Sequence, residues 1–243
     1  MDADLRFALE LADTADAVTL PRFRSREFTV ETKADLTPVT DADRETEQLL
    51  RERVARERPG EGVLGEEHGD DGAADVRWIV DPIDGTRNFL RGVPIWGTLI
   101  ALEREGAFTC GVVSAPALGK RWWASRGNGA FADGVSLRVS TTRELAEAAV
   151  SCTYGRDLAA LESCTWHARG IGDFWSHMLV AEGALDAAVD ASLKLWDYAA
   201  VMPIVLEAGG RFERVGRQWM SSNGLLHDAV ASALGSGSRA AEA

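Results

Sequence analysis

Apolar residues recur at helical spacing near the start of the chain. Leu5, Ala8, Leu9, Ala12, Ala15 and Val18 share one face of a 3.6-residue period, which predicts an amphipathic helix over 3–20. A second helix is predicted over 41–57, with Asp41 as its N-cap and Leu49, Leu50 and Val54 on its inner face. The apolar run 77–80 stops at Asp81-Pro82, the pattern of a strand that ends in a turn. Strands are predicted over 95–103 and 108–114, joined by the turn Arg104-Glu105-Gly106, and again over 120–125 and 129–131. That rhythm belongs to an antiparallel sheet. From about residue 136 strands and helices alternate: strand 150–153, helix 173–182, strand 187–189, helix 196–208 stopped by Gly209-Gly210, and a strand from 211–213. Alternation of this kind predicts a smaller α/β half. The Gly/Ser/Ala-rich tail from Gly235 is predicted to fray, and there is no internal repeat.

With 243 residues, 46% of them hydrophobic, the chain can fill one large domain or two small ones packed together. A charged fraction of 26% is ordinary for a globular protein and argues against wholesale disorder. The net charge of -12 repels a polyanionic backbone, so no nucleic-acid partner is expected. Cys110, Cys152 and Cys164 are odd in number and form no CxxC pair, which predicts reduced, buried thiols in a cytosolic protein. The acidic amphipathic start lacks the basic head and apolar run of a signal peptide. No apolar stretch approaches the ~20 residues that span a bilayer. A cytoplasmic location without a membrane partner is therefore expected.

The candidate chemistry lies in four acidic clusters: Asp41 and Asp43 in LTPVTDAD, Glu66 and Glu67 in VLGEEHGD, Asp81 and Asp84 in WIVDPIDGTRNF, and Asp197 in LWDYAAV. The third is the most telling. An apolar strand delivers Asp81, Pro82 fixes a turn, and Asp84-Gly85-Thr86 follows at once. Carboxylates three apart on such a turn can face one point, and Gly85 lets backbone N–H groups approach an anion. Hard oxygen ligands of this kind suit Mg²⁺. A like-charged pair beside a buried strand is costly unless a cation neutralises it. Asp43, Glu45, Glu47, Asp70, Asp71 and Asp75 read instead as solvated surface. Glu66 and Asp197, taken singly, stay even between ligand and surface or cap. The histidines His68, His167, His177 and His227 are scattered without metal-motif spacing and read as surface or core residues.

WIVDPIDGTRNFLRGVP resembles the signature of the inositol monophosphatase superfamily. GEE in VLGEEHGD, TDAD in LTPVTDAD and WDYAAVMPIVLEAGG resemble its other three motifs, in the family's order, over about residues 30–213. The resemblance implies an α/β fold, a layered αβαβα sandwich. Its N-terminal half, 1–135, would hold an antiparallel sheet and most metal ligands. A smaller C-terminal half, 136–243, would hold a mixed sheet and supply Asp197 and substrate-facing residues. It implies hydrolysis of a small phosphate ester by metal-activated water, with two to three Mg²⁺ ions, commonly in a homodimer. Glu66, Asp81 and the Ile83 carbonyl would bind the first ion, and Asp81, Asp84 and Asp197 the second; a third, weaker ion would use Glu66. Gly85 and Thr86 would hold phosphate oxygens through N–H groups. Thr86 and Glu66 would orient the attacking water, Asp41 would accept a hydrogen bond from Thr86, and Lys33 would stand near the catalytic centre.

Further stretches, DGTRNFLRGVPIWGTLIAL, VVSAPALGKRWWASRGNGAF and SSNGLLHD, resemble the actinobacterial type of histidinol-phosphatase. That likeness implies L-histidinol phosphate as substrate. Asp173 and Asp190 would join Asp84 and Asp197 in facing it, an acid pairing with its ammonium. Asp173 reads equally as the N-cap of its helix. Asn223 reads as a turn residue before a ligand contact, and Trp175 as a candidate imidazole neighbour. Two departures bear on the substrate: 154–170 is short and irregular, and Arg87 stands where many relatives carry threonine or lysine. Competing readings are an inositol phosphate, fructose 1,6-bisphosphate or 3′-phosphonucleotide substrate, an aspartyl-phosphate phosphatase, and a catalytically silent interaction protein.

Overall fold

The computed structural model describes residues 2–71, 75–153 and 155–239. The N-terminal part runs α1 (Ala3–Ser25), β1 (Val30–Thr32), β2 (Pro38–Thr40), α2 (Asp41–Glu57), β3 (Gly62–Gly65), β4 (Gly69–Asp70), β5 (Val76–Asp84) and α3 (Thr86–Arg91). Strands β6 (Gly97–Arg104), β7 (Ala107–Ala115), β8 (Lys120–Ser125), β9 (Ala130–Ala132) and β10 (Val135–Ser136) follow. Beyond them come β11 (Ala149–Cys152), α4 (Gly155–Glu162), β12 (His167–Arg169), α5 (Asp173–Ala181) and β13 (Ala187–Asp190). The chain closes with α6 (Leu195–Tyr198), α7 (Val201–Glu207), β14 (Arg211–Val215), β15 (Gln218–Ser222) and α8 (His227–Arg239).

Beside the short β1–β2 pair, two sheets form, an eight-stranded one ordered β10-β9-β8-β7-β6-β5-β3-β4 and a five-stranded one ordered β12-β11-β13-β15-β14. Alternation along β5 and β6 sends Trp78, Val80, Ile100 and Leu102 to one face, where Phe7, Leu11, Leu50 and Val54 of α1 and α2 cover them. Ile79, Leu99 and Ala101 face the other way, onto Phe174, Met178, Val201 and Ile204 of α5 and α7. Phe212 of the second sheet joins the same core, so these helices lie between the sheets. Leu161 of α4 and Val230 of α8 close the far face against Val150, Val189 and Met220. The result is the five-layer αβαβα order.

The structure corrects several expected boundaries. Helix α1 runs on to Ser25, since buried Thr19, bonded to the Ala15 carbonyl at 2.9 Å, extends its inner face past the last apolar position. Thr40, not Asp41, caps α2: its hydroxyl accepts from the Asp43 N–H while the Asp43 side chain accepts from the Thr40 N–H, a reciprocal capping box. Leu50 and Val54 face inward, but Leu49 is an exposed apolar residue. The expected helix 196–208 is split into α6 and α7. Pro203 has no N–H to donate to the carbonyl four residues back, so the turn at Ala199-Ala200 stays open. Residues 155–169 form α4 and β12 rather than an irregular segment, and Tyr154 lies outside the described residues. The tail continues α8 to Arg239, with 240–243 outside the described residues. Strand β3 pairs with β5 in parallel, because the β3–β4 hairpin turns the chain before it returns. Cys110 and Cys152 are buried free thiols, whereas Cys164 is only half-buried.

Gly111 of β7 sets how closely α7 approaches the large sheet. A Cβ there would stand 2.2 Å from the Ala200 carbonyl oxygen and 2.8 Å from the Pro203 ring. Gly111→Ala should therefore lower Tm by roughly 3–10 °C, as overpacking costs about 1–3 kcal/mol. An unchanged melting curve would show that this contact yields freely.

Candidate active site

The site begins where β5 departs from regular pairing. The expected stop at Asp81-Pro82 does not occur; the strand bulges between Asp81 and Asp84 and pairs again at Gly97. A bulge is where a sheet tolerates proline, which has no ladder donor. The Asp81 carboxylate accepts from the Ile83 N–H at 3.0 Å, and the Pro82 carbonyl accepts from the buried Thr98 hydroxyl at 2.8 Å. Gly85 then turns the chain with φ 81 and heads α3. The Thr86 hydroxyl donates to the Ile83 carbonyl at 3.0 Å. Asp197 comes from the first turn of α6, where its carboxylate accepts from the Lys194 N–H at 2.6 Å. Asp84 is tied to α5 through the Phe174 N–H at 2.7 Å.

One oxygen from each of Asp81, Asp84 and Asp197 lies within 4.8 Å of the others. Glu66, Ile83, Gly85 and Thr86 line the same cavity of about 360 Å³. Lys33 reaches in from between β1 and β2, with Nζ 2.7 Å from Glu66 and 2.6 Å from Glu67. Burial pulls its ammonium down, but those two carboxylates more than reverse this and raise it. Burial, and then the charges of Glu66, Asp84 and Asp197, lift Asp81 far above the ordinary carboxyl range. Asp84 rises for the same first reason, and then from Asp173 and Asp197. Burial also pushes Asp197 to about 7, with Glu66 and Asp173 adding to it. Such crowded buried carboxylates are unfavourable when all ionised, and their donor set is all hard oxygen. Both properties fit a bound divalent cation.

Asp41 is not joined to this group. Its carboxylate accepts from the Thr29 N–H at 3.0 Å and faces Arg22 at 3.4 Å, while Thr86 bonds Ile83 instead. As the first residue of α2 it points outward. Asp43, two residues on, turns in and is buried, not solvated; burial pushes it to about 7, with Glu67 and Glu66 adding to the rise. Glu47 is likewise buried rather than exposed. It accepts from the N–H groups of Glu67 at 2.7 Å and His68 at 3.0 Å, and from Arg51 at 2.9 Å. A Cβ on Gly65 would stand 2.1 Å from its carboxylate, so a glycine is required there. Glu47 thus fastens the turn that carries Glu66. The signal was present in the sequence: positions 43, 46, 47, 50 and 54 share a helical face, and its polar members belong to it as much as Leu50 and Val54.

A second cavity of about 370 Å³ adjoins the first and shares Asp84, Arg87, Asp173 and Asp197 with it. Asp173 does not cap α5; Gly172 occupies that position, and Asp173 takes φ 49, an unusual conformation for a non-glycine residue. Asn88 Nδ2 lies 3.4 Å from its carboxylate. Partial burial and then Asp190 raise Asp173, against the pull of Arg87. Asp190 is buried at the back of this cavity and accepts from the Thr153 hydroxyl at 2.8 Å. Burial would raise Asp190, but His177 and Thr153 hold its carboxyl below the ordinary range. Trp175 lines neither cavity; it packs edge-on against Trp122 at 5.6 Å. Asn223 serves a turn, accepting from the Leu226 N–H at 3.0 Å and donating to the Thr142 carbonyl at 2.9 Å.

Fold and site together define a layered α/β protein with an acidic, cation-ready centre at the junction of its sheets. The chain belongs to the inositol monophosphatase family, whose profile matches residues 1–241. It is 48% identical over 256 aligned positions to a histidinol-phosphatase of Mycobacterium tuberculosis, covering 96% of this chain and 98% of that protein. A histidinol-phosphatase of Streptomyces coelicolor is 45% identical, covering 93% of this chain and 94% of its own. Among solved structures, an IMPase of Thermotoga maritima superposes with a TM-score of 0.91 at 30% identity, over 98% of this chain and 99% of that one.

Proposed function

We propose that this chain is a phosphoric monoester hydrolase that converts L-histidinol phosphate and water to L-histidinol and phosphate, a step of histidine biosynthesis. The family and the two named relatives support the phosphatase class and the substrate. The single observation that carries the chemistry is the convergence of Asp81, Asp84 and Asp197 on the cavity that Glu66 lines. These four acids, with the Ile83 carbonyl, would hold two to three Mg²⁺ ions. Bound ions of this kind place positive charge against phosphate oxygens and make water acidic enough to attack at neutral pH.

The chain's own groups would do the rest. Gly85 and Thr86 would offer backbone N–H groups to the phosphate at the head of α3. Thr86, its hydroxyl anchored on Ile83, would orient the attacking water together with Glu66. Lys33 would neutralise Glu66 and Glu67, limiting repulsion of the incoming dianion. Asp43 replaces Asp41 as the acid proposed to back this group. In the adjoining cavity, Asp173 and Asp190 would receive the cationic alcohol; four carboxylates line it, against Arg87 and His177. Residues 1–135 would thus supply most ion ligands, and 136–243 Asp197 and the alcohol-facing acids. Family resemblance supports a homodimer. No described helix is long and apolar enough to cross a membrane; a cytoplasmic setting would follow from the proposed biosynthetic role.

Phosphate release should separate the readings. With Mg²⁺, kcat/KM for histidinol phosphate should exceed that for inositol 1-phosphate by about 10²-fold or more, since a buried charged contact discriminates strongly. A preference for inositol 1-phosphate would overturn the substrate; no release from any ester would overturn the class.

A further inference from the structure

We infer that His177 is a positioning residue for alcohol recognition: buried behind Asp190, it holds that carboxylate towards the second cavity and so sets a preference for cationic over neutral alcohols. The inference rests on the substrate-facing role proposed for Asp190.

His177 sits on α5, is 1% exposed, and borders the second cavity beside Asp190. Its Nδ1 lies 2.7 Å from the Ser221 hydroxyl on β15, and Phe212 packs on the ring at 5.5 Å. One edge and one face are therefore fixed. The other edge meets Asp190, with Nε2 3.2 Å from a carboxylate oxygen. Neither of those two atoms completes an aligned hydrogen bond among the described residues. The second Asp190 oxygen is taken by Thr153 at 2.8 Å. Buried polar atoms left short of partners are costly, so these two atoms, closed off from solvent and facing each other, depend on one another, and His177 with Thr153 holds the carboxylate at the wall that a ligand would meet.

The chemistry of the cavity narrows that ligand to a cation. Asp84, Asp173, Asp190 and Asp197 line it, against Arg87 as the one permanently charged cation. A carboxyl as buried as Asp190 would tend to hold its proton and would then offer an ammonium no charge. Its low-lying titration, in spite of burial, comes from His177 first and Thr153 next. His177 thus acts through Asp190: it keeps the acid ionised and aimed. A histidine that merely filled space would affect stability and treat all substrates alike.

The test uses the full chain with Mg²⁺, comparing histidinol phosphate with inositol 1-phosphate, the latter as a competitive inhibitor if its turnover is slow. In His177→Asn the amide can replace Nδ1 towards Ser221 but does not reach Asp190; in His177→Gln it can replace Nε2. His177→Asn should raise KM for histidinol phosphate by about tenfold, with kcat within about threefold, and shift the inositol ester less than about twofold. His177→Gln should recover most of the loss. Equal effects on both esters, or a lower Tm with unchanged selectivity, would overturn the inference. Asp190→Asn in parallel should weaken histidinol phosphate use more than inositol phosphate use. If it does not, the Asp190 role itself fails; if it does while His177→Asn keeps wild-type selectivity, only the His177 inference fails. Absence of any preference in the wild type would overturn both.

Discussion

Asp84→Asn is expected to cut kcat by about 10³-fold or more, because it removes one charge from the group that gathers positive charge around the phosphate. The fold should survive. Asp84 accepts one backbone hydrogen bond, from Phe174, and an asparagine oxygen can take it over. Stability without divalent ions should even rise, since Asp84 is pressed against Asp173 and Asp197 and is far from its preferred ionisation. The same change should shrink the rise in Tm that Mg²⁺ produces, because binding to the native state alone stabilises it by mass action. Steady-state kinetics and a melting series with and without Mg²⁺ would check all three. A folded variant with substantial Mg²⁺-dependent turnover would remove Asp84 from the proposed ion site. So would a variant with a lower metal-free Tm and a full Mg²⁺ response.

Strong local signals in the sequence located most of this site. The run 77–80 was legible as a strand because it is continuously apolar, and the acids that follow it were legible because burial and charge conflict there. Its continuation to Asp84 was not legible, since only pairing with β6 across the bulge keeps Pro82 within the sheet. Asp41 and Asp43 show a finer failure. Both lie in one motif, two residues apart; motif likeness singled out Asp41, and Asp43 read as solvated surface. The capping box places them the other way: Thr40 as N-cap turns Asp43 inward at the third helical position and leaves Asp41 outside. The short strands β1, β3, β4 and β12 carry too little alternation to be read from the chain and exist through their partners. Trp175 was misplaced for a related reason. Its distance from Asp173 in sequence says nothing of direction, and on α5 the two point to different surroundings.

Chelation of divalent ions should abolish turnover and leave a protein whose stability falls as pH rises. Asp197 titrates at about 7 in the folded chain against 3.8 ordinarily, Asp43 does likewise, and Asp81 and Asp84 are raised in the same direction. Between about pH 4 and pH 7 the folded state therefore binds more protons than the unfolded one, and stability is lost as those protons leave. Asp190 has the opposite sign, but its lowered titration confines its effect to acid below that window. The metal-free Tm should thus drop by on the order of 5 °C between pH 5.5 and pH 8. Added Mg²⁺ should reverse the trend, because the ions compete with protons for the same oxygens, so the Tm gain from Mg²⁺ should be larger at pH 8 than at pH 5.5. A net charge of -12 also opposes compaction as pH rises, and Asp197→Asn separates the two effects. If the cluster is responsible, that variant should flatten the metal-free pH slope and reduce the Mg²⁺ gain together. If general self-repulsion is responsible, the slope should persist in the variant, and the crowding of these carboxylates would not be what prepares the site for a cation.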